Sequence, residues 1–230
     1  MSTPEIELTT TFVFDRRGRI VSTREPGGTH GPLFTIIRSA RQCAWAVRDD
    51  LPDEVVEAIA ELAQEELPTP DLRTPPLHAE HYIALSGGGP GFSGPAFTFP
   101  SHLPAISDVV QIEDERDLLR NFKGWNSGEI VAGRGPVMAV MEEGSPVSIC
   151  FCARRTEKAA AAGLETAAAY RGRGFGARVT AAWAEAVRAA GLIPLYSAAW
   201  TNVASLAVAR KLGLDAYASF WSVADGRTGE

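Results

Sequence analysis

Ile6, Leu8, Thr10, Phe12 and Phe14 share one parity, with Glu7, Thr9 and Thr11 between them. That two-residue alternation predicts a half-buried strand. Asp15-Arg16-Arg17-Gly18-Arg19 reads as a turn, and Ile20 to Thr23 as its hairpin partner. Two more strands are expected at Leu33 to Arg38 and Cys43 to Arg48. Asp50-Leu51-Pro52-Asp53-Glu54 has the early Pro and acidic first turn of a helix start. Val55, Ile59, Leu62 and Ala63 then supply one apolar face, and the helix stops before Pro68. Pro68 to Pro76 holds four prolines and reads as a rigid linker. His81 to Leu85 is expected as a short strand. The glycines of Ser86 to Pro95 predict a surface loop or a lid over a ligand, in preference to a phosphate cradle.

The pattern changes near Pro104. Ile106 to Ile112 reads as a strand and Glu113 to Phe122 as a short helix. The apolar runs Val137 to Met141 and Val147 to Ala153 are joined by Glu142-Glu143-Gly144-Ser145, a hairpin. Gly163 to Ala169 follows as a strand. In Gly174 to Ala190, residues Phe175, Val179, Ala182, Trp183, Ala186 and Val187 share a helical face, and Gly191 ends it. Leu192 to Ala198, Val203 to Leu212 and Tyr217 to Val223 read as strand, helix and strand. The order from Pro104 is β-α-β-β-β-α-β-α-β.

Composition narrows the function classes. Of 230 residues, 45% are hydrophobic and 22% charged, which excludes a largely disordered chain. No uninterrupted apolar run reaches the roughly 18 residues of a membrane span, and no secretory leader is apparent; a cytoplasmic protein is expected. The net charge of −6 disfavours a general attraction to nucleic acid. Cys150 and Cys152 lie in an apolar run and read as reduced strand residues, with no partner set for a metal. His30, His78, His81 and His102 show no metal-ligand spacing, so no metal is expected. The length admits an N-terminal α+β lobe at 1–103 and a second domain at 104–230.

Chemistry concentrates in Glu165-Thr166-Ala167-Ala168-Ala169-Tyr170-Arg171-Gly172-Arg173-Gly174-Phe175-Gly176. A strand runs into a Gly-rich turn that opens a long helix. Such a turn exposes main-chain N–H groups without intrahelical partners at the positive pole of the helix. Glycines admit a phosphate close to the main chain, and Arg171 and Arg173 add full charge. No Lys-Ser/Thr pair follows the last glycine, which excludes a P-loop. The G-x-G-x-G spacing lacks the acidic ribose ligand of a dinucleotide fold.

This segment resembles the GCN5-related N-acetyltransferase (GNAT) superfamily. Arg171, Gly174 and Gly176 fill its Arg/Gln-x-x-Gly-x-Gly/Ala acetyl-CoA loop. A second motif, Asn202 through Lys211-Leu212-Gly213-Leu214, matches in spacing. The resemblance covers Pro104 to Val223, and the Tyr170-Arg171-Gly172-Arg173-Gly174 and Pro194-Leu195-Tyr196-Ser197 wording is most similar to the FR47-like branch. It implies an α/β (α+β) fold with a mixed, mostly antiparallel central sheet flanked by helices, beside the N-terminal lobe, itself a candidate degenerate copy on the acceptor side.

The resemblance further implies that strand Glu165 to Ala169, with Thr166, Ala167 and Ala168, pairs with the pantetheine amides of acetyl-CoA. The two strands beside this cleft splay apart in the family. Arg171, Gly172, Arg173, Gly174, Phe175, Gly176 and Ala177 would hold the pyrophosphate. Asn202 would bond the pantetheine arm or the adjacent strand, and Ser205 would lie near the thioester sulfur. An N–H near Ala167 would meet the oxyanion. Glu165 reads either as the base that deprotonates the attacking amine or as an edge residue paired with an arginine. The family's general-acid Tyr position is Ala209 here, leaving Ser205, Tyr170, Tyr196 or water. The implied activity is acetyl transfer to a primary amine of a small molecule or peptide, by a monomer or homodimer. The alternative is a non-catalytic acyl-CoA-binding module.

Overall fold

Thr3 opens the first helix, α1 (Pro4–Thr11), by accepting a hydrogen bond from the Ile6 N–H at 3.3 Å. The computed structural model describes residues 3–122 and 124–226. The chain folds as two compact units. One comprises Met1–Ala96, Ser197–Asn202 and Ala216–Glu230; the other comprises Phe97–Tyr196 and Val203–Asp215. Both are mixed α/β, with mostly antiparallel strands flanked by helices.

In the first unit, α1 replaces most of the expected opening strand. Pro4 in the first turn, Glu5 and Glu7 beside the positive pole and the Thr3 cap outweigh the two-residue alternation. Only β1 (Phe12–Phe14) is extended, and it pairs antiparallel with β2 (Ile20–Thr23) as expected. Strands β3 (Phe34–Ser39) and β4 (Cys43–Val47) form the next antiparallel pair. Helix α2 (Asp53–Gln64) buries Ile59 and Ala63 against Phe34, Ile36 and Tyr82.

The segment expected as a strand at His81 to Leu85 is helix α3 (Ala79–Ser86). The buried Glu66 carboxylate fixes its start, accepting from the N–H groups of Leu77 and His78 at 3.0 Å each and from the Tyr82 hydroxyl at 3.1 Å. The glycine-rich stretch expected as a loop or lid is instead strand β5 (Gly89–Thr98). Close packing is the reason: the carbonyl of Ala198 occupies the place a side chain on Gly94 would need. Within this unit the strand order is β4-β3-β11-β5, where β11 is Asp215–Ala224.

The second unit follows the expected succession except for its last strand, since the segment expected at Tyr217 to Val223 lies in β11 of the first unit. It contains β6 (Val110–Ile112), α4 (Arg116–Asn121), β7 (Val137–Glu142), β8 (Ser145–Arg155), β9 (Ala159–Thr166), α5 (Phe175–Ala189), β10 (Ile193–Ser197) and α6 (Val203–Lys211). Its strands run in the order β10-β9-β8-β7-β6. All neighbours are antiparallel except β9 and β10, which are parallel. Trp183 and Val179 of α5 are fully buried. Cys150 and Cys152 face this helix as free, buried thiols. On the other sheet face Ile149 packs with Leu118, Phe122, Trp125, Val137 and Ala139. Among the described residues no helix is long and apolar enough to cross a membrane.

Candidate functional site

Strand β9 leads into the site, and hydrogen-bond parity fixes what each residue offers. The N–H of Ala167 donates to the Val147 carbonyl at 2.9 Å, and the Glu165 carbonyl accepts from Ser148 Oγ. Odd-numbered residues thus turn their main-chain groups toward β8. The Lys158 carbonyl accepts from the Ile193 N–H at 2.9 Å, so even-numbered residues turn theirs toward β10.

Pairing with β10 nevertheless ends at Ala161↔Leu195, although β9 continues to Thr166. The strands part there, matching the splay that the resemblance implies. The main-chain edges of Leu164 and Thr166 face the gap. Two expectations change accordingly. The strand edge open for pairing is Ala162 to Thr166, because Ala168–Tyr170 form a 3-10 turn instead of extending the strand. Ala167 cannot offer its N–H to an oxyanion, since Val147 has taken it; Leu164 and Thr166 are the edge amides.

Side chains alternate across the same strand. Leu164 pairs with Cys150 and Thr166 with Ser148, on the α5 face, where the Thr166 and Ser148 hydroxyls lie 2.8 Å apart. Glu165 pairs with Ile149 and Gly163 with Phe151, on the opposite face. Glu165 is half-buried, and among the described residues no arginine pairs with it. The Phe151 ring covers Gly163 so closely that a side chain there would collide with it. Trp125 meets that ring edge-on at 5.1 Å.

Beyond β9 the turn delivers a helix N-terminus. Gly174 caps α5 in the left-handed conformation, φ +81°, and Gly172 adopts φ +77°. Gly174, Phe175, Gly176 and Ala177 stand at the start of α5, where N–H groups lack intrahelical acceptors. Arg171 Nε donates to the Thr166 carbonyl at 3.1 Å, tying the turn to the strand end. The Arg173 guanidinium lies 5.0 Å from the centre of the Tyr170 ring. The structure thus gathers Thr166, Ala167, Ala168, Arg171, Gly172, Arg173, Gly174, Phe175, Gly176 and Ala177 into one strand-turn-helix.

The second motif forms α6. Gly176 faces it, with Val208 Cγ2 3.4 Å from the place of an added Cβ. Ser205 lies half-buried in the first turn of α6, and Asn202 immediately precedes that helix in the chain. Ala209 is buried. Tyr196 donates to the Ser205 carbonyl at 3.1 Å, and burial pushes its phenol up to about 12. That hydroxyl is thereby engaged. One residue at the site has no role assigned from the sequence: Lys211, whose Nζ lies 2.5 Å from the place of a Cβ on Gly174. The helical spacing of Lys211 three residues beyond Val208 was the available signal. Trp200 carries the Arg73 guanidinium 4.1 Å from its ring centre. Among the described residues no group of three or more His, Cys, Asp or Glu side chains could hold a metal ion.

Residues 105–220 match the family model described as GNAT acetyltransferase. A GCN5-related N-acetyltransferase from Sphaerobacter thermophilus matches with TM-score 0.53 at 10% identity, covering 82% of this chain and 75% of its own. That likeness shows the fold. A GCN5-related N-acetyltransferase-like protein from Streptococcus suis matches at 18% identity and TM-score 0.45, covering 83% and 84%. A GNAT-family acetyltransferase from Novosphingobium aromaticivorans matches at 18% identity and TM-score 0.48, over 58% of this chain. The chain spans 65% of that protein's length, just under two thirds. No curated protein matches the chain.

Proposed function

The chain belongs to the GNAT acetyltransferase family, and from that membership we propose that it moves an acetyl group from acetyl-CoA to a primary amine of a small molecule or peptide. The observation that carries this reading is the open edge of β9 running directly into the N-terminus of α5. The N–H and C=O groups of Leu164 and the N–H of Thr166 suit the pantetheine amides, in the manner of an added strand. The amides at Gly174 to Ala177, with Arg171 and Arg173, suit the pyrophosphate. Ser205, in the first turn of α6, completes the coenzyme side. The chemistry is assigned to residues 104–230, and residues 1–103 carry no catalytic signature.

In the reaction, the neutral amine nitrogen forms a bond to the thioester carbonyl carbon. The carbonyl electron pair moves to oxygen, where an edge N–H of Leu164 or Thr166 meets it. Collapse of this intermediate breaks the C–S bond, and the sulfur leaves with the electron pair. The amine proton passes to the Glu165 carboxylate, directly or through one water. The thiolate takes its proton from solvent, because Ala209 offers none and the Tyr196 hydroxyl is held by Ser205. A thiol of pKa roughly 8.5 is a good enough leaving group to depart this way. No metal enters these steps.

Release of free thiol from acetyl-CoA over a panel of amines tests the proposal. Turnover above background hydrolysis, reduced about 10²-fold in Glu165→Gln, is expected. A second reading, a coenzyme-binding module without turnover, is favoured by Ala209 alone. Tight acetyl-CoA binding with no accelerated thiol release over the whole panel would establish it in place of the first.

A further inference from the structure

We infer that Phe151 is a specificity-determining residue on the acceptor side: its ring fills the space left at Gly163, next to Glu165, and limits the acceptor to primary amines on an unbranched carbon with a slim apolar body. The inference rests on the acetyl-transfer reading, with Glu165 as the base that takes the amine proton.

Strand geometry sets where the body of the amine lies. Glu165 and Gly163 share the face of β9 opposite α5. They are two residues, and so roughly 7 Å, apart. Toward β8 the space beside Glu165 is closed, because its cross-strand neighbour Ile149 is fully buried with Leu118, Phe122 and Trp125. Along the strand, the position next to Glu165 on this face is Gly163, since β9 ends at Thr166. There a side chain is missing, and the Phe151 ring lies in its place. Its Cε2, Cζ and Cδ2 atoms all fall within 3.0 Å of where a Cβ on Gly163 would stand. The wall beside the base is thus aromatic and reaches over from β8.

The ring is held there from behind. Trp125 meets it edge-on at 5.1 Å. The Arg134 guanidinium lies 5.1 Å from the centre of the Phe151 ring and 5.0 Å from that of Trp125. Arg134 is anchored in turn: its Nε lies 3.3 Å from Glu129 Oε2, and its Nη1 donates to the Gly124 carbonyl at 3.5 Å. Asn126 Nδ2 donates to the other oxygen of the buried Glu129 carboxylate at 2.9 Å. A ring fixed on that side does not swing inward to admit a bulkier ligand. A second substituent on the amine-bearing carbon, directed along β9, collides with it. An unbranched alkyl chain passes over it in apolar contact.

Thiol release from acetyl-CoA with n-hexylamine and with 2-aminohexane, which carries the amine on a branched carbon, tests this in wild type, Phe151→Leu and Phe151→Ala. Wild type is expected to favour hexylamine by about tenfold or more in kcat/KM, the scale on which a shaped apolar pocket resolves one carbon. Phe151→Leu, which keeps most of the apolar volume, should narrow that preference about threefold and Phe151→Ala about tenfold, with the KM for acetyl-CoA within about threefold of wild type. Lost packing alone would lower both amines together. An unchanged ratio in either folded variant therefore overturns the role of Phe151. Equal use of the two amines by wild type, or turnover of other amines with neither of these, overturns the substrate class and leaves acetyl transfer standing. Release of no thiol with any amine removes the acetyl-transfer reading itself, and the inference with it.

Discussion

The hydroxyl of Tyr196 is hydrogen-bonded to the main-chain carbonyl of Ser205, 3.1 Å away. This bond ties the end of β10 to the first turn of α6, and Ala209, buried, follows one turn later on the same helix. A phenol pushed up to about 12 by burial stays neutral throughout the working range of an enzyme. Tyr196→Phe should therefore cost about 1 kcal/mol in stability, the ordinary worth of one hydrogen bond. Thiol release should stay within about threefold of wild type. Denaturant unfolding beside steady-state kinetics checks both. A drop in kcat of about 10² or more with stability intact would make Tyr196 the acid.

Gly163 is held to glycine by the ring of Phe151 on the neighbouring strand. A methyl group at 163 must push that ring, and with it the Trp125 edge contact at 5.1 Å. Gly163→Ala should destabilise by about 1–3 kcal/mol, the usual cost of overpacking. Combined with Phe151→Leu, much of the second cost should vanish. A double-mutant cycle in urea reads the coupling, and strict additivity would contradict the contact.

The residues of this pair also bear on what the sequence discloses. The sequence left Glu165 open between a base and an arginine-paired edge residue, and the structure places it on the sheet face opposite α5. The strand-turn-helix at Arg171 to Ala177 was readable because its chemistry is local. The parting of β9 from β10 was not, since it depends on where two distant segments stop pairing. Lys211 over Gly174 escaped for a related reason: spacing puts it on the Val208 face of α6, but what that face meets is set by packing between segments. At the other end of the chain, alternation from Ile6 to Phe14 competed with the cap at Thr3 and the acidic first turn, and the helix signals prevailed. The glycines of β5 suggested freedom, whereas at Gly94 they serve close packing against the Ala198 carbonyl.

Stability should fall on the alkaline side. Burial raises the Cys150 thiol, and it pushes Cys152 up to about 11, from an ordinary value near 9. It also raises the Tyr82 phenol, helped by the adjacent Glu66 carboxylate. The folded chain therefore keeps protons that the unfolded chain releases. The stabilisation is complete below pH 9 and declines as pH rises above it, by up to about 1.4 kcal/mol per pH unit for each group titrating only when unfolded. Urea midpoints from pH 7 to pH 10.5 should show a plateau and then a decline. The same burial should protect both thiols from alkylation at pH 8 until the chain unfolds.

Gly174 combines a left-handed backbone with the approach of Lys211. Gly174→Ala should strain the turn by about 1–2 kcal/mol and displace the ammonium. Coenzyme affinity should fall more than tenfold while the Tm drops by only a few degrees. Equal affinity in this variant would mean that the turn does not hold phosphate.

Binding of acetyl-CoA by the turn from Arg171 to Ala177, through the coenzyme pyrophosphate, is measured most directly by titration calorimetry of acetyl-CoA into wild type and Arg171→Glu. Saturable binding by wild type, weakened about 10²-fold or more in Arg171→Glu at unchanged Tm, is the expected result. Saturable binding of equal strength in both proteins, or none in wild type, would contradict it.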